Sequence, residues 1–506
     1  MAESAVTPPR RRRLSWPQGP EGLGWAVLVL LLLVTLAAAL FFDRTGRPAL
    51  VGDEATYAMQ AASLVWDFDL AYDRADYDRF VAHWGGPPDG LILQTRDGGA
   101  HITYGKPPLY AMAVAPFVRV APVRGAVIAN ALLLAVAALL AARSLRNHVG
   151  PAAPLWVAAF VFASVTFAYV FWVHADLFLL TTTVAGFAVA YGGARSRTGP
   201  MPDIYEDEGH TTSGRAFGRW FLAGLLIAVA GAFRPFYLAL LLPALLAARG
   251  DLDGRRRARV LGLLAGALVL LALSGAFQWV SGGHWSGYGG ERQGFYPRTG
   301  YPDVDFPRSE WQQSVRRWGN TSWLQMEAYE PRMSGKLLGW DTLYFLAGRN
   351  IGVLPYFLPL ILGFAAFRRE RGRGAILLAV ALAVVCFFLV RPFNFYGGGG
   401  AIANRYFLPL YGALWFLAAR PAKPGWAVAV TALAAPFLYP LWLHPNAFPI
   451  GPDGRYVHVS PVAQRILPYE TTQSHIPGGQ DYAANEIWIK LLNHHIYRVN
   501  GSETSL

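Results

Sequence analysis

Long stretches of this chain are almost wholly apolar, and they are broken at intervals by short clusters of arginine, glycine or proline. A helix that crosses a bilayer needs about 20 apolar residues, and a charge at its centre costs about 2.5 to 3.5 kcal/mol on insertion scales. Read this way, the pattern predicts spans near residues 23–42, 126–143, 152–172, 175–191, 219–233, 234–248, 258–280, 349–367, 374–390, 404–419 and 425–443. The stretch Pro107 to Ala121 is apolar but short and bracketed by prolines, which suits an interfacial or re-entrant helix or the start of a longer span. The expected fold is therefore an all-α polytopic bundle of about 11 to 13 transmembrane helices. The first apolar segment ends in AAALFFDRTG, a weak small-residue cleavage site, and reads as a retained span.

The basic clusters orient these spans. Arg10 to Arg13, Arg143 with Arg146, Arg195 with Arg197, Arg255 to Arg259, Arg368 to Arg373 and Arg420 with Lys423 each flank an apolar run, and all of them fall on one side when the first cluster is placed in the cytoplasm. This gives a basic cytoplasmic N-terminus (1–22), a transmembrane domain (23–443) with extracytoplasmic loops at 43–106 and 281–349, and a small extracytoplasmic C-terminal segment (444–506). The loops read as short amphipathic helices and turns. The expected location is a bacterial inner membrane, with the working face outside. No internal repeat is evident, which weighs against a transporter built from related halves.

Composition agrees with a membrane protein: 54% of the residues are hydrophobic, 15% are charged, and mean hydropathy is +0.29. The net charge of +12 would suggest nucleic acid in a soluble protein, but here the cations border apolar runs. The single cysteine, Cys386, excludes a disulfide within the chain and a cysteine-based metal cluster.

Candidate chemistry lies in polar residues at membrane ends, where apolar residues would cost less. Asp53 and Glu54 open a helical pattern about ten residues after the first span, and adjacent carboxylates on a helix project about 100° apart, so they serve different tasks. Either could act as a base, or the pair could simply complement a helix dipole. Lys106, one of only four lysines, precedes two prolines and so sits on stiff backbone, which suits a point contact to a phosphate. His174 with Asp176, Arg234 before Pro235, and Asn404, Arg405 and Tyr406 form three further polar interruptions on the same face. Tyr57, Tyr104, Trp285 and Tyr288 are candidates for stacking on a sugar.

In this order the acidic pair, the KPPLY segment from Lys106, the HAD turn at His174, the FRP turn around Arg234 and the NRYFLPLY helix from Asn404 resemble the GT-C superfamily of lipid-carrier-dependent glycosyltransferases. Within it they are most similar to the protein O-mannosyltransferase and aminoarabinose transferase branch, over about Trp25 to Leu443. The resemblance implies transfer of a sugar from a polyprenyl phosphate or diphosphate donor to an acceptor hydroxyl outside the cell. By similarity Asp53 is the catalytic base, Glu54 assists in acceptor or sugar binding, and Lys106, Arg234 and Arg405 bind the donor phosphate. Tyr57, Tyr104, His174, Asp176, Asn404 and Tyr406 are the substrate-binding candidates. No His-rich metal cluster is present in the sequence, and dependence on a divalent cation is left open. The acceptor, whether protein, lipid or cell-envelope glycan, is not legible. Two alternatives use similar residues: a flippase or exporter of polyprenyl-linked sugars, and a glycan ligase or polymerase relying on Arg292, Arg316 and Arg317, which otherwise read as a solvated face.

Overall fold

The computed structural model describes residues 19–42, 50–192, 213–249, 255–286, 289–318, 321–322, 334–370, 372–398, 401–449, 456–470, 473, 487–491 and 495–499. The first helix, α1 (Gly19–Leu40), turns Leu28, Leu32, Thr35 and Ala39 inward at helical spacing, and it leaves Leu23, Leu30, Leu33 and Val34 on the outside. A face of exposed leucines is unfavourable in water and suited to lipid, so α1 is read as packed on one side and wetted by hydrocarbon on the other.

Behind it come α2 (Asp53–Trp66), α3 (Arg74–Trp84), β1 (Leu91–Thr95), β2 (Ile102–Tyr104) and α4 (Leu109–Val120). Next, α5 (Gly125–Val149) and α6 (Ala153–Phe162) turn on Gly150, whose φ of 76° is a left-handed conformation that glycine adopts readily. The apolar series continues through α7 (Asp176–Tyr191), α8 (Ser213–Phe233), α9 (Leu241–Arg249) and α10 (Arg256–Gly282).

Among the described residues six helical stretches are long and apolar enough to cross a membrane: Gly19–Leu40, Gly125–Phe162, Ser213–Phe233, Arg256–Gly282, Arg373–Val390 and Pro424–Leu443. Leu109–Val120, Asp176–Tyr191 and Pro235–Arg249 are shorter apolar helices. The span expected over 349–367 consists of two short helices, Val353–Tyr356 and Leu360–Ala365, and that over 404–419 is a short helix flanked by 3-10 turns. Prolines 355, 359 and 409 fall in these broken segments, where a missing N–H and a fixed φ limit regular helix. Among the described residues, six stretches of full length and three shorter apolar helices thus stand where 11 to 13 spans are expected.

Small residues set the closest helix pair. On α10, Gly262 and Gly266 form a GxxxG face against α8, and a Cβ at Gly266 would stand 1.9 Å from the carbonyl oxygen of Phe221. Across the same crossing, a Cβ at Gly224 would lie 2.0 Å from the Leu263 oxygen. Backbones meet here with no side chain between them, the usual device where water supplies no hydrophobic drive.

The structure departs from the all-α expectation in the two long loops. β1 pairs with β2 and with β3 (Glu291–Phe295), and β3 pairs with β4 (Thr321–Ser322), giving one antiparallel sheet in the order β2-β1-β3-β4. Leu93 faces Gln293 and Gln94 faces Arg292 in this register. Three side-chain ties reinforce it: the Tyr72 hydroxyl donates to Pro302 O at 3.2 Å, Arg308 donates to Tyr72 O at 3.0 Å, and the Tyr301 hydroxyl donates to the Pro88 carbonyl. The described parts of the loops at 43–106 and 281–349 are thereby joined in one sheet and its flanking turns, the loop face.

Candidate functional site

Asp53 is the first residue of α2, placed there by Gly52, whose φ of 59° and ψ of −116° suit a residue without a Cβ. Its carboxylate is almost enclosed and meets two cations from distant parts of the chain. Oδ1 lies 2.6 Å from Lys106 Nζ, and Oδ2 accepts from an Arg405 terminal nitrogen at 3.0 Å. Arg405 also donates to His174 Nδ1 at 2.7 Å, so a neutral His174 carries its proton on Nε2. Asp176 extends the chain of charges: it accepts from Arg234 at 3.2 Å and stands 3.9 Å from Arg405. The Arg234 guanidinium lies over the Tyr406 ring, 3.8 Å from its centroid.

Local structure holds each member in place. Gln60, two turns along α2 from Asp53, donates to the Lys106 carbonyl at 3.0 Å, and the two following prolines stiffen the exit from the site. Glu54 points elsewhere: it accepts from the Val173 N–H at 3.1 Å and ties α2 to the turn that carries His174. The Trp172 ring lies beside His174, with centroids 5.2 Å apart. The Tyr237 hydroxyl donates to Tyr406 O at 2.7 Å, and Asn404 accepts from Phe407 N at 3.1 Å, capping the 3-10 turn Arg405–Phe407.

Electrostatics follow from this placement. Burial alone would raise the Asp53 carboxyl, but Lys106 and Arg405 overcome it and hold the group well below the usual carboxylate range. Burial pulls Lys106 below the ordinary amine value, Asp53 opposes that, and Arg292 adds to it. His174 is held well below its normal value by burial and then by Arg405, which keeps it neutral.

The structure thus brings together Asp53, Lys106, His174, Asp176, Arg234, Arg405 and Tyr406, drawn from five separate stretches of sequence. Glu54 and Asn404 stand beside them in positioning contacts. Tyr57 packs edge-on to Tyr110 and Tyr104 edge-on to Tyr72, both almost wholly buried in the core. Trp285 is largely exposed and stacks on Trp279, and Tyr288 lies outside the described residues. Among the described residues no three His, Cys, Asp or Glu side chains group as metal ligands.

Arg292 corrects the expectation of a solvated face. Only 8% exposed, it sits on β3 close to the Gly105–Lys106 bend. The side chains of Arg316 and Arg317 lie outside what is described. Five residues, ERQGF, form β3, too few to advertise a strand; the pairing of distant loops fixes the position of Arg292.

An apolar groove of about 680 Å³ runs between α1, α6 and the helix Pro424–Leu443, lined among others by Leu31, Thr35, Ala159, Phe162, Phe171 and Trp442. Phe171, one of its lining residues, directly precedes Trp172, whose ring lies beside His174.

No family model matches this sequence, and no curated protein matches it. Two solved structures are similar. One is ArnT from Cupriavidus metallidurans, crystallised bound to undecaprenyl phosphate, at a TM-score of 0.44 and 18% identity over 83% of this chain. The other is the oligosaccharyltransferase of Archaeoglobus fulgidus in its apo form, at a TM-score of 0.43 and 13% identity over 88% of this chain. This chain spans 65% and 57% of their respective lengths.

Proposed function

We propose that this protein is a glycosyltransferase that moves a sugar from a polyprenyl-phosphate donor to an acceptor hydroxyl at the extracytoplasmic face of the membrane, with inversion at the sugar carbon. The observation that carries the reading is the buried Asp53 carboxylate held between Lys106 and Arg405, at 2.6 and 3.0 Å, at the loop face. A base, two anion-binding cations and an adjoining apolar groove are what a lipid-phosphate leaving group requires.

In the proposed reaction the acceptor oxygen attacks the anomeric carbon as the bond from that carbon to the phosphate oxygen breaks. Asp53 takes the hydroxyl proton, and the electron pair of the broken bond stays on the phosphate, where Lys106 and Arg405 oppose the growing charge. The same cations bind Asp53 in the free protein, so an arriving phosphate competes for them. As they turn toward phosphate, the carboxyl regains basicity when the acceptor needs it. Arg234 and Asp176 hold Arg405 and Tyr406 in place from behind, and the groove beside α1 takes the lipid tail. Which sugar is carried, and whether a divalent cation assists, are questions for the assay.

The test uses purified protein in lipid nanodiscs, a panel of polyprenyl-phosphate sugars, a cell-envelope extract as acceptor, and parallel reactions with and without chelator. Wild-type release of polyprenyl phosphate that Asp53→Asn loses is the expected result. Retained stereochemistry in the product, or near-normal turnover by a folded Asp53→Asn protein, overturns the proposal.

A further inference from the structure

The sheet that joins the loops delivers one more cation to this site. The Gly105 N–H donates to Ile92 O at 3.0 Å, so the strand pairing continues for one residue past β2 before the chain turns to Lys106. On the far side of β1, β3 sets Arg292 opposite Gln94. The Arg292 side chain returns across the sheet: a Cβ added at Gly105 would lie 3.2 Å from Arg292 Nε and 2.9 Å from Ile92 Cγ2. The guanidinium therefore rests against the bare Cα next to Lys106, largely shut off from solvent.

Two positive groups side by side in a dry pocket repel each other, and Arg292 is among the groups that pull the Lys106 amine down. Among the described residues, the contacts around Asp53 and Lys106 bring together four cationic side chains, Lys106, Arg234, Arg292 and Arg405, and three carboxylates, Asp53, Glu54 and Asp176. His174, kept neutral, adds nothing to that excess. A guanidinium and an ammonium arranged this way complement an anion with several oxygens, the guanidinium through its planar fork and the ammonium as a point charge.

We infer that Arg292 is a donor-binding residue, a cation from the second loop that shares the lipid phosphate with Lys106, and that Gly105 is glycine because this contact needs the space. The inference rests on the functional reading above. It predicts that β3 is part of the binding site and that the second loop grips the head of the donor rather than only covering it.

The test measures binding of undecaprenyl phosphate, with undecaprenol as the uncharged control, by full-length protein in nanodiscs. It compares wild type, Arg292→Gln, Arg292→Lys, Gly105→Ala and, as a control on the same loop, the exposed Arg298→Gln. Arg292→Gln is expected to weaken phosphate binding 10- to 100-fold and leave undecaprenol binding unchanged, while Arg292→Lys recovers most of the loss. Gly105→Ala, which pushes the guanidinium aside, is expected to weaken it in the same sense, and Arg298→Gln to have no effect. In turnover, Arg292→Gln should raise the donor KM far more than it lowers kcat. Equal phosphate affinity in wild type and Arg292→Gln overturns this inference and leaves the functional reading standing. A wild type that does not prefer the phosphate to the alcohol overturns both.

Discussion

Asp53 Oδ1 and Lys106 Nζ stand 2.6 Å apart, joining the first turn of α2 to the bend after β2. Lys106→Met keeps most of the stem and removes the charge on the leaving phosphate. Loss of one fixed transition-state charge typically costs about 10²- to 10³-fold in kcat, and a decrease of that size in sugar release is expected here. Single-turnover assays, which separate chemistry from product release, are the appropriate measurement.

The pH profile carries an independent prediction. Asp53 must be ionised to accept a proton, and its carboxyl is held well below the usual range. Activity measured as kcat/KM, which reports the free enzyme, should therefore persist as pH falls through the ordinary carboxylate range near about 4. Removing a cation with Arg405→Gln raises that carboxyl, so the acid limb should move to higher pH. An unmoved limb would mean that another group sets it.

Asp176 is a positioning residue for both arginines. Removing one partner of a buried ion pair costs about 3 to 5 kcal/mol because the other charge is stranded. Asp176→Asn should lower the Tm in detergent, and the added change Arg234→Gln should recover part of that loss without restoring turnover. Recovery of turnover in the double variant would show that Arg234 has no part in holding Arg405 and Tyr406.

Glu470 fastens the C-terminal segment. Its carboxylate accepts from the Asn350 and Ile351 N–H groups at 2.7 and 3.0 Å, yet burial pushes its pKa up to about 7. An acid whose pKa is raised by docking binds its proton more tightly when docked, so docking is strongest at low pH and weakens as pH rises from about 4.5 towards 7. Hydrogen-exchange protection factors across residues 456–470, which take out the intrinsic rise of exchange with pH, should fall over that window, and Glu470→Gln should flatten their dependence.

The α8–α10 crossing admits no added atom at Gly266, whereas Gly218 on α8 has open space around it. Gly266→Ala should reduce the Tm by several degrees and Gly218→Ala should leave it nearly unchanged, since only the first places a methyl inside a backbone contact. Melting in nanodiscs decides the matter.

How far the sequence foretold this arrangement differs from residue to residue. Asp53, Lys106, Arg234 and Arg405 were visible because a charge beside long apolar runs stands out against its neighbours. Asp176 was visible for the same reason, but its work as the counter-charge of Arg234 depends on where α7 starts relative to α8. Tyr57 and Tyr104, candidates for stacking on a sugar, are buried in the core, since an amphipathic ring gives no sign of which environment it occupies. Arg292 stands out only for the ligase alternative and otherwise reads as solvated, because its burial depends on a strand pairing across nearly two hundred residues, which local periodicity does not register. Regular helix is legible only in part for a related reason: apolar runs mark hydrophobic stretches, while Pro355, Pro359 and Pro409 lie where helix is broken within them.

The sheet shared by the two loops also limits how the protein can vary. Adding or deleting one residue in β3 would slip its register on β1 and turn each side chain to the opposite face, carrying Arg292 away from Gly105 and Phe295 out of the core. Neither loop can be lengthened, grafted or exchanged through its strands by itself. For inheritance and for engineering alike, the two segments behave as one module whose halves happen to be written far apart.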